Sequence, residues 1–432
     1  MSGDARAVPD WREPSWLREA RARALASFRA QGLPTTRMEA WRFTPIAPLA
    51  PIAEAPARPR EVPRGSELGA RAERGPGPRL VFENGRLHVG RSDRRGLPGG
   101  AFLGSLAEAL AVVPDVVRVH LGRLARDEDH PFVALNAALF EDAAILVLPA
   151  GATVEEAIEI HWLSDDPGPG AAAHPRLLVV AGEGARATVG EIFEGRAEAP
   201  YLTNAVAELA LSDGAQIHHV RLQDEAPAAF HLASTHVEEG AEARLGAHAL
   251  ALGAALSRSE IHARLAGERG AIALTGLYMA SSRQLVDVRS RVEHAVPDCE
   301  TVENYKGILD GHARGVFAGR IRVEPGAQKT RAYQMNSNLL LSEDAVVDTM
   351  PQLEIFADDV KCGHGGTVGQ LDDAALFYLR SRGIGEAEAR GLLIYAFAGE
   401  MVDLVRAPAL RARARALVAA RLPAGARLLE AA

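Results

Sequence analysis

The chain has 432 residues, of which 47% are hydrophobic and 24% charged, proportions typical of a globular protein with a large core. Its formal net charge of -8 argues against a nucleic-acid-binding protein, because contacts with phosphates require a basic surface. Two cysteines in so long a chain favour a reducing compartment over a disulfide-stabilised secreted domain.

The N-terminal sequence MSGDARAVPDWREPSW is polar and contains no apolar stretch of the kind found in signal peptides. Further along, no segment has about 18 uninterrupted apolar residues, the length that a membrane-spanning helix needs. The sequence therefore predicts neither a signal peptide nor a membrane span, and the cytoplasm is the expected location.

The first region, residues 1–79, is predicted to contain one helix followed by a linker. A helix is expected over 15–31, with Ser15 as its N-cap and with Gly32 and Pro34 ending it. The segment from Pro48 to Pro78 is too rich in proline for a continuous helix or a central strand, so it is interpreted as a linker or an extended surface segment. These prolines are Pro48, Pro51, Pro56, Pro59, Pro63, Pro76 and Pro78.

The second region, residues 80–371, consists of short apolar or alternating runs separated by repeated Gly-Ala pairs. Such runs, among them LVF at 80–82 and RLLVVA at 176–181, are typical of strands, and glycine-rich turns end them. A series of these pairs recurs at a regular distance, and its first five members are 33, 30, 26 and 30 residues apart, which indicates a repeating unit. A sandwich or barrel is an alternative, but nearly 290 residues of short strands favour a β-helix whose open ends need a cap or a partner. The pairs of this series begin at Gly151, Gly184, Gly214, Gly240, Gly270 and Gly326.

The last region, residues 372–432, is predicted to be helical. Asp372 is a suitable N-cap for a helix that stops at Gly383, a second helix is expected over about 386–405, and Pro408 is expected to open a third that ends near Leu422.

Cys362 and His364 form the most informative pair of residues for chemistry. Both are good ligands for a transition metal, and the sequence around them, KCGHGGTVG, is rich in glycine, which lets a backbone approach a bound group. Two ligands are too few for a zinc or iron-sulfur site, which usually takes about four, so the remaining ligands would come from elsewhere in the fold or from another chain. A glycine-rich structural turn is the alternative interpretation.

The environments of the two cysteines are expected to differ. Cys299 follows a proline turn and is interpreted as a buried structural thiol. By contrast, the glycines and polar residues around Cys362 suit an accessible thiol, whose pKa Asp358 and Asp359 would raise and Lys361 would lower. The spacing of the two cysteines does not exclude a disulfide between them.

Motifs of the common enzyme classes are missing. The chain contains no GxxxxGK[ST] phosphate loop, no GxGxxG after a strand, no GxSxG and no HExxH. Nucleotide hydrolysis or dinucleotide binding by this chain alone is therefore not expected.

The sequence resembles the SufB/SufD family of the SUF iron-sulfur cluster assembly system, and within it the SufD type. The resemblance is clearest in PQLEIFADDVKCGHGGTVGQLD and in LFYLRSRGIGEAEARGLLIYAFAGEM, and it extends upstream through HARGVFAGRIRVEPGAQKTRAYQMNSNLLLSEDA. EAWRFTP near the start and FVALNAALF at 132–140 also fit. Together these segments place most of residues 38–401 within the resemblance.

The resemblance implies a mainly β fold, with a right-handed parallel β-helix core between helical N-terminal and C-terminal regions. It further implies a non-catalytic scaffold subunit that pairs with a SufB-like subunit and docks a SufC-like ABC-type ATPase on its C-terminal helices. ATP hydrolysis would then take place in the partner. By the family's pattern, Cys362 and His364 fall at the interface with SufB, where a transient iron-sulfur cluster forms, and His364 is the more firmly implicated. No tightly bound cofactor is expected.

Two alternatives remain. A SufB-like chain would be expected to carry an EHEA-type segment in place of KCGHGG and further cysteines, and neither is present. A β-helix enzyme acting on carbohydrates would need a pair of carboxylates at working distance. Asp287, Glu303, Asp310 and Glu354 are the candidates for such a pair.

Overall fold

A computed structural model describes residues 13–53, 75–128, 130–164, 170–423 and 425. Its centre is a β-solenoid of about eight turns, flanked by helices at both ends of the chain. The fold is therefore mainly β, as predicted. Most of the proline-rich segment, 54–74, and the N-terminal residues 1–12 lie outside the described residues, so the linker interpretation stays a prediction there.

The strands form two sheets, and along the solenoid successive strands alternate between them. One sheet has the order β2-β1-β5-β8-β10-β12-β14-β16-β18-β21, and the other has the order β19-β17-β15-β13-β11-β9-β7-β4-β3, with β20 paired to β17 and β6 to β9. The strands are β1 (Arg79–Glu83), β2 (Arg86–Leu87), β3 (Phe102–Ser105), β4 (Ala144–Leu148), β5 (Ile158–Ser164), β6 (Ala172–Ala173), β7 (Arg176–Ala181), β8 (Arg186–Gly195), β9 (Leu202–Leu211), β10 (Gln216–Asp224), β11 (Phe230–Glu239), β12 (Arg244–Ala251), β13 (Leu256–Leu265), β14 (Ala271–Ala280), β15 (Leu285–His294), β16 (Glu300–Leu309), β17 (Arg314–Val323), β18 (Arg331–Leu340), β19 (Val346–Thr349), β20 (Gln352–Ile355) and β21 (Lys361–Gly369).

Each full turn of the solenoid returns the chain to the same sheet in parallel register. Thus β14 pairs with β12 on one side and with β16 on the other. The starts of the strands in this sheet, at residues 186, 216, 244, 271, 300, 331 and 361, are 27 to 31 residues apart. The predicted repeat of the Gly-Ala pairs is the length of one turn.

Glycine occupies the left-handed region of the backbone at three of the turns, whereas residues such as Glu242 and Arg269 occupy it at later turns. The φ values are 70° at Gly151, 65° at Gly184 and 67° at Gly214. This conformation costs residues with a Cβ atom more energy than it costs glycine. After each of these glycines comes a buried alanine, which starts the next interior row of side chains.

The interior of the solenoid holds the main hydrophobic core. Alternate residues of each strand point inward, so valine, isoleucine and leucine from the two sheets pack against one another, as in Val189 and Ile217 of one sheet and Leu209 of the other. The same inner face of the first sheet also carries buried polar residues, including Glu191, Gln223 and Glu303. The interior is therefore partly polar, and its polar residues extend from β8 to the strands next to β21.

Helices cover the first turns of the solenoid. Helix α1 (Ser15–Gln31) has the predicted bounds, and Gly32 ends it with a φ of 66°, but its N-cap is Pro14 and not Ser15. Three helices that the sequence did not predict follow β3 and precede β4. They are α2 (Leu106–Val112), α3 (Pro114–His120) and α4 (Pro131–Leu139).

The EAWRFTP segment lies on the outer face of the second sheet. The Arg258 guanidinium is 3.7 Å from the centre of the Trp41 ring, which is a cation–π contact. Thr44 donates a hydrogen bond to the buried carboxylate of Asp287, which also binds Arg258. The N-terminal region is thereby fixed to β13 and β15.

Within the described part of the chain, three helices of nine or more residues follow β21. They are α5 (Asp373–Ser381), α6 (Glu386–Val402) and α7 (Pro408–Ala419). Asp372 caps α5 by accepting a hydrogen bond from the Ala374 N–H, as predicted, while α6 and α7 each end about three residues before the predicted ends. Among the described residues no helix is long and apolar enough to cross a membrane.

Candidate functional site

The strand β21, which carries Cys362 and His364, lies at the open end of the first sheet. It pairs with β18 on one side and has no strand on the other side among the described residues. None of its nine residues is buried. KCGHGGTVG is thus an edge strand, and the alternative of a glycine-rich turn is wrong.

The backbone of β21 presents alternate residues to its free edge. The Lys361 N–H donates to the Thr330 carbonyl at 2.9 Å, so it points toward β18. Because N–H directions alternate along a strand, the N–H groups of Cys362, His364, Gly366 and Val368 point away from β18. These residues expose hydrogen-bonding groups of the kind that a further strand can pair with.

Two glycines in β21 are explained by the neighbouring strand. A Cβ atom at Gly365 would lie 2.9 Å from the Met335 Cε atom, and one at Gly363 would lie 3.6 Å from the Tyr333 ring. Tyr333 and Met335 are about half exposed on the outer face of β18. At Gly365, therefore, the missing side chain leaves room for a neighbour.

Cys362 faces the interior of the solenoid. It is half-buried and packs against the main hydrophobic core, and burial raises the pKa of its thiol, an effect that a hydrogen bond with the Ala332 backbone partly offsets. Asp358 and Asp359, which were expected to raise this pKa, are not among the causes of the shift. The predicted accessible thiol is thus partly wrong, because the side chain points inward from the edge strand.

Cys299 is the buried residue that the sequence predicts. Its side chain has no exposed surface, and burial raises the pKa of the thiol. Both cysteines are free, so no disulfide joins them.

His364 lies two residues after Cys362 on the same inner face, but it is exposed because no further turn of the described chain covers it. Behind it, one strand deeper, lies Gln334, and beyond Gln334 lies Glu303. The three residues form a polar row from the open end into the interior. Of these three residues, the sequence predicts a metal-binding role for His364 alone. Glu303 is one of the carboxylates of the alternative enzyme interpretation.

Glu303 is buried and its hydrogen-bond partners are neutral. Its Oε2 atom accepts hydrogen bonds from Ser290 Oγ at 2.7 Å and from Gln334 Nε2 at 3.3 Å. Burial raises the pKa of Glu303 to about 7, although both hydrogen bonds lower it. A carboxyl group that is partly protonated near neutral pH therefore lies inside the solenoid, two strands from the free edge.

The other candidate carboxylates are separated from Glu303. Asp287 belongs to the opposite sheet and binds Arg258 and Arg289, and Glu354 lies within 3.9 Å of Arg320 and Arg322. Asp310 is bound to the N–H of Gly311 in a turn. These contacts give no support to a catalytic pair of carboxylates.

The described residues include no group of three or more histidine, cysteine, aspartate or glutamate side chains arranged to hold a metal ion. Cys362 and His364 thus remain two candidate ligands on one strand. A complete site would need ligands from another chain, supplied at the free edge.

The C-terminal helices make a second candidate surface. Helices α6 and α7 pack on the outer face of the first sheet, where Arg413 binds the buried Glu194 at 2.5 Å and Lys306 binds Glu400 at 2.6 Å. Helix α5 has no buried residue, and its Phe377 and Tyr378 side chains are 74% and 57% exposed. Exposed aromatic side chains of this kind mark protein-binding surfaces.

Comparison with known proteins identifies two matching family models. Residues 163–397 match the SUF system FeS cluster assembly SufBD core domain, and residues 79–160 match the SufBD protein N-terminal region. The chain is 33% identical to an iron-sulfur cluster assembly SufBD family protein of Synechocystis sp. over 413 residues, covering 94% of this chain and 90% of that protein. It is also 33% identical to the iron-sulfur cluster assembly protein SufD of Escherichia coli over 401 residues, covering 92% and 91%.

Proposed function

Because the chain belongs to the SufBD family of iron-sulfur cluster assembly proteins, we propose that it is the SufD-type scaffold subunit of a SUF assembly complex. In this role it is not an enzyme. It pairs with a SufB-type subunit through the free edge of β21, binds a SufC-type ATPase through its C-terminal helices, and contributes His364 to a transient cluster site. The observation that carries the proposal is the position of Cys362 and His364 on an unpaired edge strand.

Pairing at β21 is supported by the backbone. An edge strand whose N–H and C=O groups are free can accept a strand from another chain, and the affinity comes from main-chain hydrogen bonds. Here the residues with free backbone groups include both proposed ligands. A partner strand at this edge would therefore bring its own side chains next to His364.

The two proposed ligands are unequal. His364 is exposed, whereas Cys362 is half-buried and burial raises the pKa of its thiol. A thiolate is the form of cysteine that binds metal, so a raised pKa makes Cys362 the poorer ligand until a metal ion displaces its proton. His364 is accordingly the primary ligand, and Cys362 an accessory one.

ATPase docking is supported by the exposed aromatic side chains of α5 and by the absence of a phosphate loop from the sequence. Contacts between α6 and the solenoid, such as Lys306 with Glu400, link the C-terminal helices to strands near the open end. Motion imposed on the helices would reach the neighbourhood of β21 through these contacts. A cytoplasmic location is part of the proposal, in keeping with the two free cysteines.

Reconstitution with SufB-type and SufC-type partners tests the shared site. We expect His364→Ala to lower the rate of cluster assembly at least tenfold while the three-protein complex still forms, and Cys362→Ala to have a smaller effect. His312→Ala, which removes an exposed histidine from a turn, is the matched control and should leave assembly unchanged. Normal assembly by His364→Ala would overturn the shared site but would leave the scaffold role in place.

A further inference from the structure

Gln334 has a buried oxygen atom without a hydrogen-bond partner. The side chain is only 3% exposed, and its Nε2 group donates to Glu303 Oε2. Its Oε1 atom has no partner among the described residues. Because an unsatisfied buried acceptor costs free energy, a donor for this oxygen is expected close by.

His364 is in the right place to supply that donor. Gln334 and His364 are register partners in the parallel strands β18 and β21, and both point to the inner face. Register partners in adjacent strands lie about 5 Å apart, within reach of a histidine and a glutamine side chain. A neutral imidazole has one N–H donor, and its other nitrogen keeps a lone pair.

The Gln334 amide is held in a fixed orientation. A Cβ atom at Gly319, in the opposite sheet, would lie 2.7 Å from Gln334 Nε2 and 3.0 Å from Glu303 Oε2, so the lack of a side chain there gives the amide its space. Ser290 donates to the same Glu303 oxygen. With Nε2 committed to Glu303, the amide oxygen is left to accept a hydrogen bond.

We propose that Gln334 is a positioning residue for His364. The two side chains make no hydrogen bond in the described conformation, and His364 is exposed and can rotate. After that rotation one ring nitrogen of His364 donates to Gln334 Oε1, and the other ring nitrogen, with its lone pair, faces the free edge of β21. Metal-binding histidines are commonly oriented by such a second hydrogen bond. The inference rests on the proposed role of His364 as a ligand.

Gln334→Leu is the direct test, because leucine removes the acceptor and keeps a similar volume. In the reconstituted complex we expect cluster assembly at least fivefold slower than with the unaltered chain, with complex formation unchanged. Glu303→Gln should have little effect, because the new amide oxygen still accepts from Ser290 and Gln334. The double variant Glu303→Gln with Gln334→Glu should restore most of the rate lost in Gln334→Leu, because Glu at 334 accepts from both neighbours.

Gln223→Leu is the matched control for loss of a buried glutamine. Gln223 lies on the same inner face in β10, four strands from β18, and its Oε1 atom accepts from the Leu252 and Gly253 N–H groups. This variant should leave the rate of cluster assembly by the folded complex unchanged. An equal loss of rate in both leucine variants would show a general structural effect and overturn the proposal.

A spectroscopic measurement separates positioning from packing. In the full-length chain with ¹⁵N-labelled histidine, the His364 ring signals are identified by their loss in His364→Ala. We expect one neutral tautomer of His364 to dominate, and Gln334→Leu to shift the ring toward a mixture. An unchanged tautomer in Gln334→Leu would overturn the inference alone, whereas normal assembly by His364→Ala would remove the proposed ligand role and this inference together.

Discussion

The two ends of the solenoid are built from the same parallel coil but differ in burial. At the first end, four of the five residues of β1 are buried, and β2 and β3 close the two sheets with antiparallel pairings. At the last end, none of the residues of β19, β20 or β21 is buried. One end is closed by antiparallel strands, and the other end is exposed and has no further strand among the described residues.

The packing at the closed end explains its burial. The rings of Phe82 and Trp162 are stacked with their centres 4.4 Å apart, and Phe193 continues the row. The Asp142 carboxylate accepts hydrogen bonds from the N–H groups of Leu106 and Ala143, which attaches the entry into α2 to β4. At the open end, a different interior row, formed by Glu303 and Gln334, is polar and finishes in exposed His364. The comparison indicates that the closed end contributes more to stability than the open end, which is free for the binding role proposed above.

The largest expected difference is in the free energy of unfolding, between Phe82→Ala at the closed end and Val368→Ala at the open end. Phe82 is fully buried, so its truncation should lower the free energy of unfolding by about 3–5 kcal/mol. Val368 is 53% exposed on β21, so its truncation should change the free energy of unfolding by less than about 0.5 kcal/mol. Chemical denaturation of the isolated chain measures both. A large loss for Val368→Ala would mean that the open end is packed even without a partner.

A second prediction concerns the polar row beneath the open end. The pKa of Glu303 is raised from 4.5 to about 7 by burial, so between these values the folded chain retains a proton that the unfolded chain has released. Stability contributed by this group is therefore greatest at low pH and falls as pH rises through that window. The glutamine side chain in Glu303→Gln cannot ionise. At pH 8 the free energy of unfolding of this variant should therefore exceed that of the unaltered chain by up to about 3 kcal/mol.

At pH 4.5 the same substitution should leave the free energy of unfolding nearly unchanged, because Glu303 is then protonated in the folded state. Denaturant titrations at the two pH values measure the difference. Glu343→Gln, which alters an exposed carboxylate, is the control and should match the unaltered chain at both. An equal gain at pH 4.5 and pH 8 would rule out ionisation of Glu303 as the cause.

The sequence predicts the solenoid well because its turns are local. In three of the Gly-Ala pairs, Gly184-Ala185 among them, the glycine has a left-handed backbone and the alanine after it is buried, and both features depend on neighbouring residues only. Helices α2 and α3 were missed because each has only seven residues, too few for a clear period. At α1 the predicted bounds are confirmed, but the N-cap is Pro14, because Ser15 is itself the first residue of the helix.

The polar row at the site could not be predicted in the same way. Whether Glu303, Gln334 and His364 are neighbours depends on the length of each turn, which varies between 27 and 31 residues in this sheet. A one-residue change in register would move a side chain to the opposite face. The ligand types in Cys362 and His364 could be recognised locally, but the inward direction of the thiol could not.

The smallest expected effects come from two proline substitutions in β21. One removes an N–H group at the free edge of the strand, and the other removes an N–H group at the edge that pairs with β18. The Gly366 N–H points to the free edge, so Gly366→Pro removes a donor that only a partner strand would use. The affinity of the Gly366→Pro chain for the SufB-type subunit should fall about tenfold, or about 1.4 kcal/mol, with little change in the stability of the isolated chain. Thr367→Pro removes an N–H that points to β18, and should instead lower the free energy of unfolding by about 1–2 kcal/mol.

Gly366→Ala controls for the added side chain, because it keeps the N–H and its Cβ atom would have no neighbour closer than 3.6 Å. Titration of the partner subunit and denaturation of the isolated chain give the two quantities for each variant. If Gly366→Pro bound the partner as tightly as Gly366→Ala, main-chain pairing at β21 would be excluded, and the open end would have to bind through side chains alone. If Thr367→Pro weakened only binding, the alternation of N–H directions along β21 would be the reverse of the one described here.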